Sequence, residues 1–192
     1  MPRYGLVFDL ERCIGCQACT VACKVENGTE HGSWIRVEMQ QGQNLDTASG
    51  KFPEVNLTYQ PVACMHCQQP PCVDACPVGA IYKRNDGVVI LDSSLCNGCE
   101  ACLSACPYGV ILWNEKDRVA SKCHLCSHRI DQGLLPFCAT CCEGQAIHFG
   151  DLSNPSSELS RLVAKRSGYT LKPEEQTDPT SRYLPPLPKR PV

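Results

Sequence analysis

The sequence predicts an α+β chain of two pseudo-symmetric units, built from short strands, short helices and long loops and followed by an extended C-terminal tail. Three observations predict it. Sixteen of the 17 cysteines in 192 residues fall into four groups of four. Aromatics make up 6%, and the 43% apolar fraction counts the cysteines, so the conventional core is thin and needs covalent or metal staples. Six prolines fall between Pro173 and Val192, where periodicity is lost.

The first group is Cys13, Cys16, Cys19 and Cys23; the second is Cys64, Cys67, Cys72 and Cys76. The third is Cys96, Cys99, Cys102 and Cys106; the fourth is Cys123, Cys126, Cys138 and Cys142, with Cys141 left over. Groups one and three share C-x2-C-x2-C-x3-C; group two widens the middle gap to x4 and group four to x11. An odd count in tight runs argues against a disulfide framework. The recurrence is an internal repeat of a metal-binding unit.

The elements follow in chain order. The apolar run Leu6-Val7-Phe8 stops at Asp9, with no signal-peptide pattern and no opening twin-arginine pair. Residues 34–38 and 55–59 alternate and read as strands, with the polar stretch between them an exposed loop. Ala80-Ile81-Tyr82 and Val88-Val89-Ile90-Leu91 flank a turn ending in Asp86-Gly87, a β-hairpin. Asn154-Pro155 signals a helix start, and Leu159, Leu162 and Val163 share a face. The tail beyond Pro173 is expected to be disordered or laid as an arm on a partner, anchored by Tyr183 and Leu184. The predicted organisation pairs 1–26 with 115–150 as one half. Residues 27–63 are an insertion, 64–114 the second half, and 151–192 the helix and tail. A net charge of −2 gives no basis for nucleic-acid binding. No apolar run approaches the roughly 18 residues of a membrane span.

Thiolates suit zinc, copper(I) and iron–sulfur clusters. Structural zinc uses two separated cysteine pairs around one ion. Three cysteines at three-residue intervals with a fourth four residues on, twice closed by Cys-Pro, is instead the bacterial ferredoxin run for [4Fe–4S] clusters. Each unit is therefore expected to be ferredoxin-like with two clusters. In two-cluster ferredoxins the fourth cysteine of each run ligates the other cluster. Four ligand sets are expected on that basis. They are Cys13, Cys16, Cys19 and Cys142; Cys23, Cys123, Cys126 and Cys138; Cys64, Cys67, Cys72 and Cys106; and Cys76, Cys96, Cys99 and Cys102. Cys142 is chosen over Cys141 because it restores the x3 gap and aligns Ala146-Ile147 with Ala80-Ile81.

Four fully ligated clusters leave one-electron transfer as the available chemistry, and no catalytic constellation stands out. His66 and His124, inside the loops, are expected to donate toward the clusters or face a partner rather than ligate. Each oxidised cluster with its thiolates carries about −2. Lys24, Lys83, Arg84, Lys116, Arg118, Lys122 and Arg129 lie near the loops, most of them expected to be ordinary solvated cations.

The stretches Asp9 to Asn27, Cys72 to Ile81, Cys96 to Val110 and Cys123 to Gly150 closely resemble the four-cluster iron–sulfur subunit of the dimethyl sulfoxide reductase superfamily. The resemblance covers about residues 3–165. It implies a compact double-ferredoxin fold and a partner catalytic subunit carrying molybdenum or tungsten bis-pterin. It also implies a quinone-reactive membrane anchor and a role in anaerobic respiration. On this reading the chain is no enzyme by itself. It sits peripherally on the periplasmic face, by co-export, or on the cytoplasmic face. With only 16 residues between Cys106 and Cys123, it looks most like the polysulfide and thiosulfate reductase type. Two departures stand out: the spare Cys141, and Glu143 where the family has proline. An ionised Glu143 is expected to lower the nearby cluster's potential. The alternatives are an independent soluble polyferredoxin, the iron–sulfur subunit of a formate-hydrogen or quinol-oxidising complex, and a zinc-stabilised structural protein.

Overall fold

In the computed structural model residues 1–40 and 47–188 are described. Fifteen regular elements run through them: β1 (Tyr4–Asp9), α1 (Ala18–Asn27), β2 (Ile35–Met39), β3 (Tyr59–Ala63), α2 (Pro71–Asp74), β4 (Ile81–Lys83), β5 (Val89–Leu91), α3 (Ala101–Ala105), β6 (Ile111–Asn114), β7 (Val119–Lys122), α4 (Ser127–Ile130), α5 (Phe137–Thr140), β8 (Ile147–Asp151), α6 (Glu158–Lys165) and β9 (Arg182–Leu184). The architecture is mixed α+β with short elements, as the sequence predicts.

β1 lies at the centre of the largest sheet, with order β8-β1-β9. It runs antiparallel to β8, with Leu6 opposite Phe149, and parallel to β9, with Phe8 opposite Tyr183. A central strand buried on both faces reads as a continuous apolar run rather than an alternation, and Leu6, Val7 and Phe8 are fully buried. The other three sheets are two-stranded: β2-β3, β4-β5 and β6-β7. The predicted hairpin is β4-β5, with Ile81 opposite Leu91. Its counterpart β6-β7, with Ile111 opposite Lys122, follows the third cysteine group as β4-β5 follows the second.

Three expectations need correction. The strand read at 55–59 forms four residues later, with Met39 opposite Tyr59. Val55 and Leu57 stay exposed, whereas Pro61, Val62 and Ala63 are buried. The helix read from Pro155 begins at Glu158, because Ser157 supplies the cap: its hydroxyl accepts from Ser160 N at 3.1 Å. Part of the loop read between the strands, 41–46, lies outside the described residues.

The largest correction concerns the tail, of which residues 177–184 are ordered against the chain itself. Residues 177–184 return to the chain's own core, with Thr180, Ser181, Tyr183 and Leu184 at 1% exposure or less. The Tyr183 hydroxyl donates to Pro61 O at 2.8 Å, and its ring lies 5.1 Å from that of Phe8. Arg166, beyond α6, pairs with the buried Asp9 and donates to Pro185 O at 2.7 Å, fixing the end of the returning segment. Prolines flank β9 without entering it, which an edge strand permits.

Candidate metal centres

The cysteine loops and the short helices after them share one local design. In every loop the residue just before the second cysteine is left-handed: Gly15 (φ 71°), His66 (φ 46°), Gly98 (φ 73°) and Leu125 (φ 55°). Such a residue turns the chain tightly, so backbone N–H groups face the sulfurs. Leu125 N donates to Cys123 Sγ at 3.4 Å, and a Gly15 N–H stabilises the Cys13 sulfur in the same way. A Cβ on Gly15 would stand 2.6 Å from the Tyr59 ring in addition to its backbone strain. Gly15→Ala is therefore expected to displace the Cys13 loop and lose about four of the bound irons per chain, measurable by iron analysis.

Each loop leads into a helix whose two cysteines stand four residues apart. Cys19 and Cys23 lie in α1, Cys72 and Cys76 in and after α2, Cys102 and Cys106 in and after α3, and Cys138 and Cys142 in and after α5. In α1 four residues of helix keep both on one face but about 6 Å apart along the axis, and in the other three pairs the second cysteine lies past the helix end. The two therefore reach different sites.

Three cavities show this directly. Cys13, Cys16, Cys19 and Cys142 line one small cavity. Cys23, Cys123, Cys126 and Cys138 line a second. Cys64, Cys67, Cys72 and Cys106 line a third. In each, three sulfurs come from one group and the fourth from another. The fourth predicted set gathers around Cys102, whose thiol is pushed up by burial and then by Cys96, Cys99 and Cys76. Cys141 lines none of these cavities.

The donors fit a cluster better than a single ion. All 17 cysteines are free thiols. Among the described residues, no group of three or more His, Cys, Asp or Glu closes to single-ion geometry. Zinc would need four sulfurs at about 2.3 Å from one point. Each of the three cavities is lined by four cysteines and by no Asp, Glu or His, so sulfur is the recurring donor. Burial pushes the Cys19 and Cys67 thiols up to about 11 and Cys72 to about 12, and neighbouring cysteine sulfurs add to each rise. Only a cation at the centre lets such clustered sulfurs all ionise.

The sites form a row. The Cys138 thiol, raised by burial and its own set, also feels Cys19 of the first set. Cys123, in the second set, is raised by burial and then most by Cys64 of the third. α2 and α3 pack together between the third and fourth sets. The ends are open, with Cys16 and Cys99 exposed, whereas most ligands of the middle pair are buried.

Of the two loop histidines, His66 is buried and cannot face a partner, whereas His124 is half-buried. His66 is wholly buried, and its Nδ1 accepts from Val89 N at 3.0 Å, which leaves the proton on Nε2. His124 Nδ1 accepts from Ser127 N at 3.0 Å at the start of α4, and its ring meets Trp34 edge-on. Burial lowers His124 to about 4 and holds His66 well below its usual range, so both are neutral. Glu143 is exposed. Its charge reaches the first site through solvent, and Glu143→Gln is expected to raise that potential only slightly in a redox titration. Of the seven basic residues near the loops, Lys122 departs from the solvated reading and is buried. Sequence reasoning also missed Thr177, a tail residue whose hydroxyl reaches the Cys67 sulfur and lies 2.7 Å from Tyr108 Oη.

Known families agree with this geometry. Two 4Fe-4S dicluster domain families match, one over residues 55–152 and one over residues 12–80. An iron-sulfur subunit of Halobacterium salinarum, assigned provisionally to a dimethyl sulfoxide reductase, is 42% identical over 96% of this chain and 79% of its own. The chain belongs to the iron–sulfur subunits of molybdopterin oxidoreductases. Among its relatives is a subunit of the tetrathionate reductase of Salmonella typhimurium, 41% identical over 95% of this chain and 72% of that one. Another is the thiosulfate reductase electron transfer subunit of Salmonella typhi, 40% identical over 87% and 84%. Two dicluster domains carry four [4Fe–4S] clusters, for which 17 cysteines suffice.

Proposed function

We propose that this chain relays electrons between a molybdopterin catalytic subunit and a quinone-linked membrane anchor, in a respiratory complex of the polysulfide or thiosulfate reductase type. The observation that carries the reading is the three cavities, each lined by three cysteines of one group and one of another, with Cys16 and Cys99 exposed to either side of the buried cysteines. A row of sites with an opening at each end suits entry at one and exit at the other.

The sixteen cysteines hold the clusters in the four sets named above, with Cys141 spare. Two ferredoxin-like halves follow, related by pseudo-symmetry: 64–114 holds two clusters, and 1–26 with 115–150 holds two. The segment 27–63 is an insertion, and 151–192 braces the first half. A bound [4Fe–4S] cluster supplies reversible one-electron chemistry at a potential tuned by its surroundings. With four cysteines each, the clusters have no corner for substrate, so the chain is not an enzyme alone and the partner chooses the substrate. The relative named as a thiosulfate reductase electron transfer subunit supports the subfamily. Among the described residues no helix is long and apolar enough to cross a membrane, which suits a peripheral subunit beside a separate anchor.

The independent polyferredoxin shuttle is the rival reading, and residues 177–184 of the tail, packed on their own chain, fit either reading. Anaerobic affinity purification with native mass spectrometry separates the two. About 16 irons on a chain bound to a large pterin-containing subunit is the expected result. A four-cluster chain recovered alone would favour the shuttle.

A further inference from the structure

Lys122 is a lysine at 2% exposure in the middle of the row. Among the described residues no carboxylate lies within ion-pair distance of it. Its Nζ has three partners, all acceptors. It donates to Val89 O on β5, to Cys123 O at 3.1 Å and to Cys64 Sγ at 3.8 Å. Three acceptors match the three N–H bonds of an ammonium, where a neutral amine has two. A buried cation without a counter-charge is costly. The anions within reach are sulfurs of the two middle sites. The Cys64 sulfur touches the ammonium, and the sulfurs of Cys72 and Cys123 feel its charge.

The placement is specific. Lys122 ends β7 and directly precedes Cys123 of the second set, while its side chain lines the cavity of the third. Val89, whose carbonyl oxygen receives the ammonium, donates through its own backbone N–H to His66 Nδ1, inside the Cys64 loop. The ammonium thus joins both middle sites through fixed hydrogen bonds.

We propose that Lys122 sets the potential of the cluster held by Cys64, Cys67, Cys72 and Cys106, keeping it higher than its sulfur ligands alone would. The inference rests on the ligand sets proposed above. A reduced cluster carries one more negative charge than an oxidised one, so a fixed cation at its ligand favours reduction. The charge stands between the two middle sites and governs the step between them. Lys122 touches a ligand sulfur and is a positioning residue, not a catalytic one.

The test compares the purified complex carrying wild type, Lys122→Met and Lys122→Arg, by iron analysis and by redox titration followed with electron paramagnetic resonance. The relevant signal is the one lost in Cys72→Ala. About 16 irons in wild type confirms the sets on which the inference rests, and a much lower count would overturn those sets first. With full iron, Lys122→Met is expected to shift that cluster's one-electron equilibrium about tenfold toward the oxidised form, about 59 mV lower. Lys122→Arg is expected to restore most of it. An unchanged midpoint in Lys122→Met overturns the proposal. If Lys122→Met loses iron, retention by Lys122→Arg supports a charge requirement, and equal loss in both reduces Lys122 to a packing role.

Discussion

Replacing Cys76 with alanine is expected to remove the cluster built on the Cys96 loop and to leave the one on the Cys64 loop in place. Cys76 belongs to group two by sequence, so a simple reading of the spacing assigns its loss to the Cys64 loop. The fold argues otherwise. Cys72 lines the third cavity, whereas Cys76 lies one turn further on and acts on the Cys102 thiol. Iron per chain is expected to fall from about 16 to about 12. The surviving resonance signals would then keep the third cluster and lack the fourth. Loss of the Cys64-loop cluster alone would refute crossed ligation. Because metal binding is also folding energy in such small units, the variant is further expected to loosen the β4-β5 and β6-β7 hairpins. Hydrogen exchange at Ile81, Val89 and Ile111 reads that change.

The second large effect is at the returning tail. Tyr183→Ala is expected to destabilise the chain by about 3–5 kcal/mol, the range for removing a buried large aromatic. At roughly 2–4 °C per kcal/mol for a domain of this size, the unfolding midpoint falls by about 6–20 °C. Tyr183 has no exposed surface and packs on Phe8 and Tyr169. Its loss also strips Pro61 O of its donor. Tyr183→Phe, which removes only the hydroxyl, is expected to cost about 1 kcal/mol. Anaerobic thermal unfolding of the cluster-loaded complex measures both. An unchanged midpoint in Tyr183→Ala would place the tail elsewhere.

The sites were more legible in the sequence than the scaffold. The cysteine spacing marks the four groups, and the cross-ligation known from two-cluster ferredoxins anticipates which cysteines come together to line the three cavities. The β4-β5 hairpin was legible because Asp86-Gly87 marks its turn. The strand at 55–59 was misread because alternation signals a half-buried face, and Val55 and Leu57 alternate while remaining exposed. The tail was misread because proline density outweighed the proline-free stretch Thr180 to Leu184, which contains the part that pairs. Lys122 carried a signal that went unused. Ala120 and Lys122 share a face of β7, and Ala120 is buried, so the alternation itself places the lysine inward.

The three-stranded sheet has a consequence for assembly order. β1 emerges first during synthesis, but both its neighbours come from the far end of the chain, β8 at Ile147–Asp151 and β9 at Arg182–Leu184. Closing so long a loop is entropically unfavourable and slow compared with local hairpin formation. The β4-β5 and β6-β7 hairpins can form while the ribosome is still working, whereas β1 stays without its neighbours until those segments have left it. Cys13, Cys16 and Cys19 therefore remain open thiols longest, exposed to oxidation until Cys142 arrives. Assembly of this subunit is then most vulnerable at the Cys13 loop, and a factor that shields the nascent chain would act there.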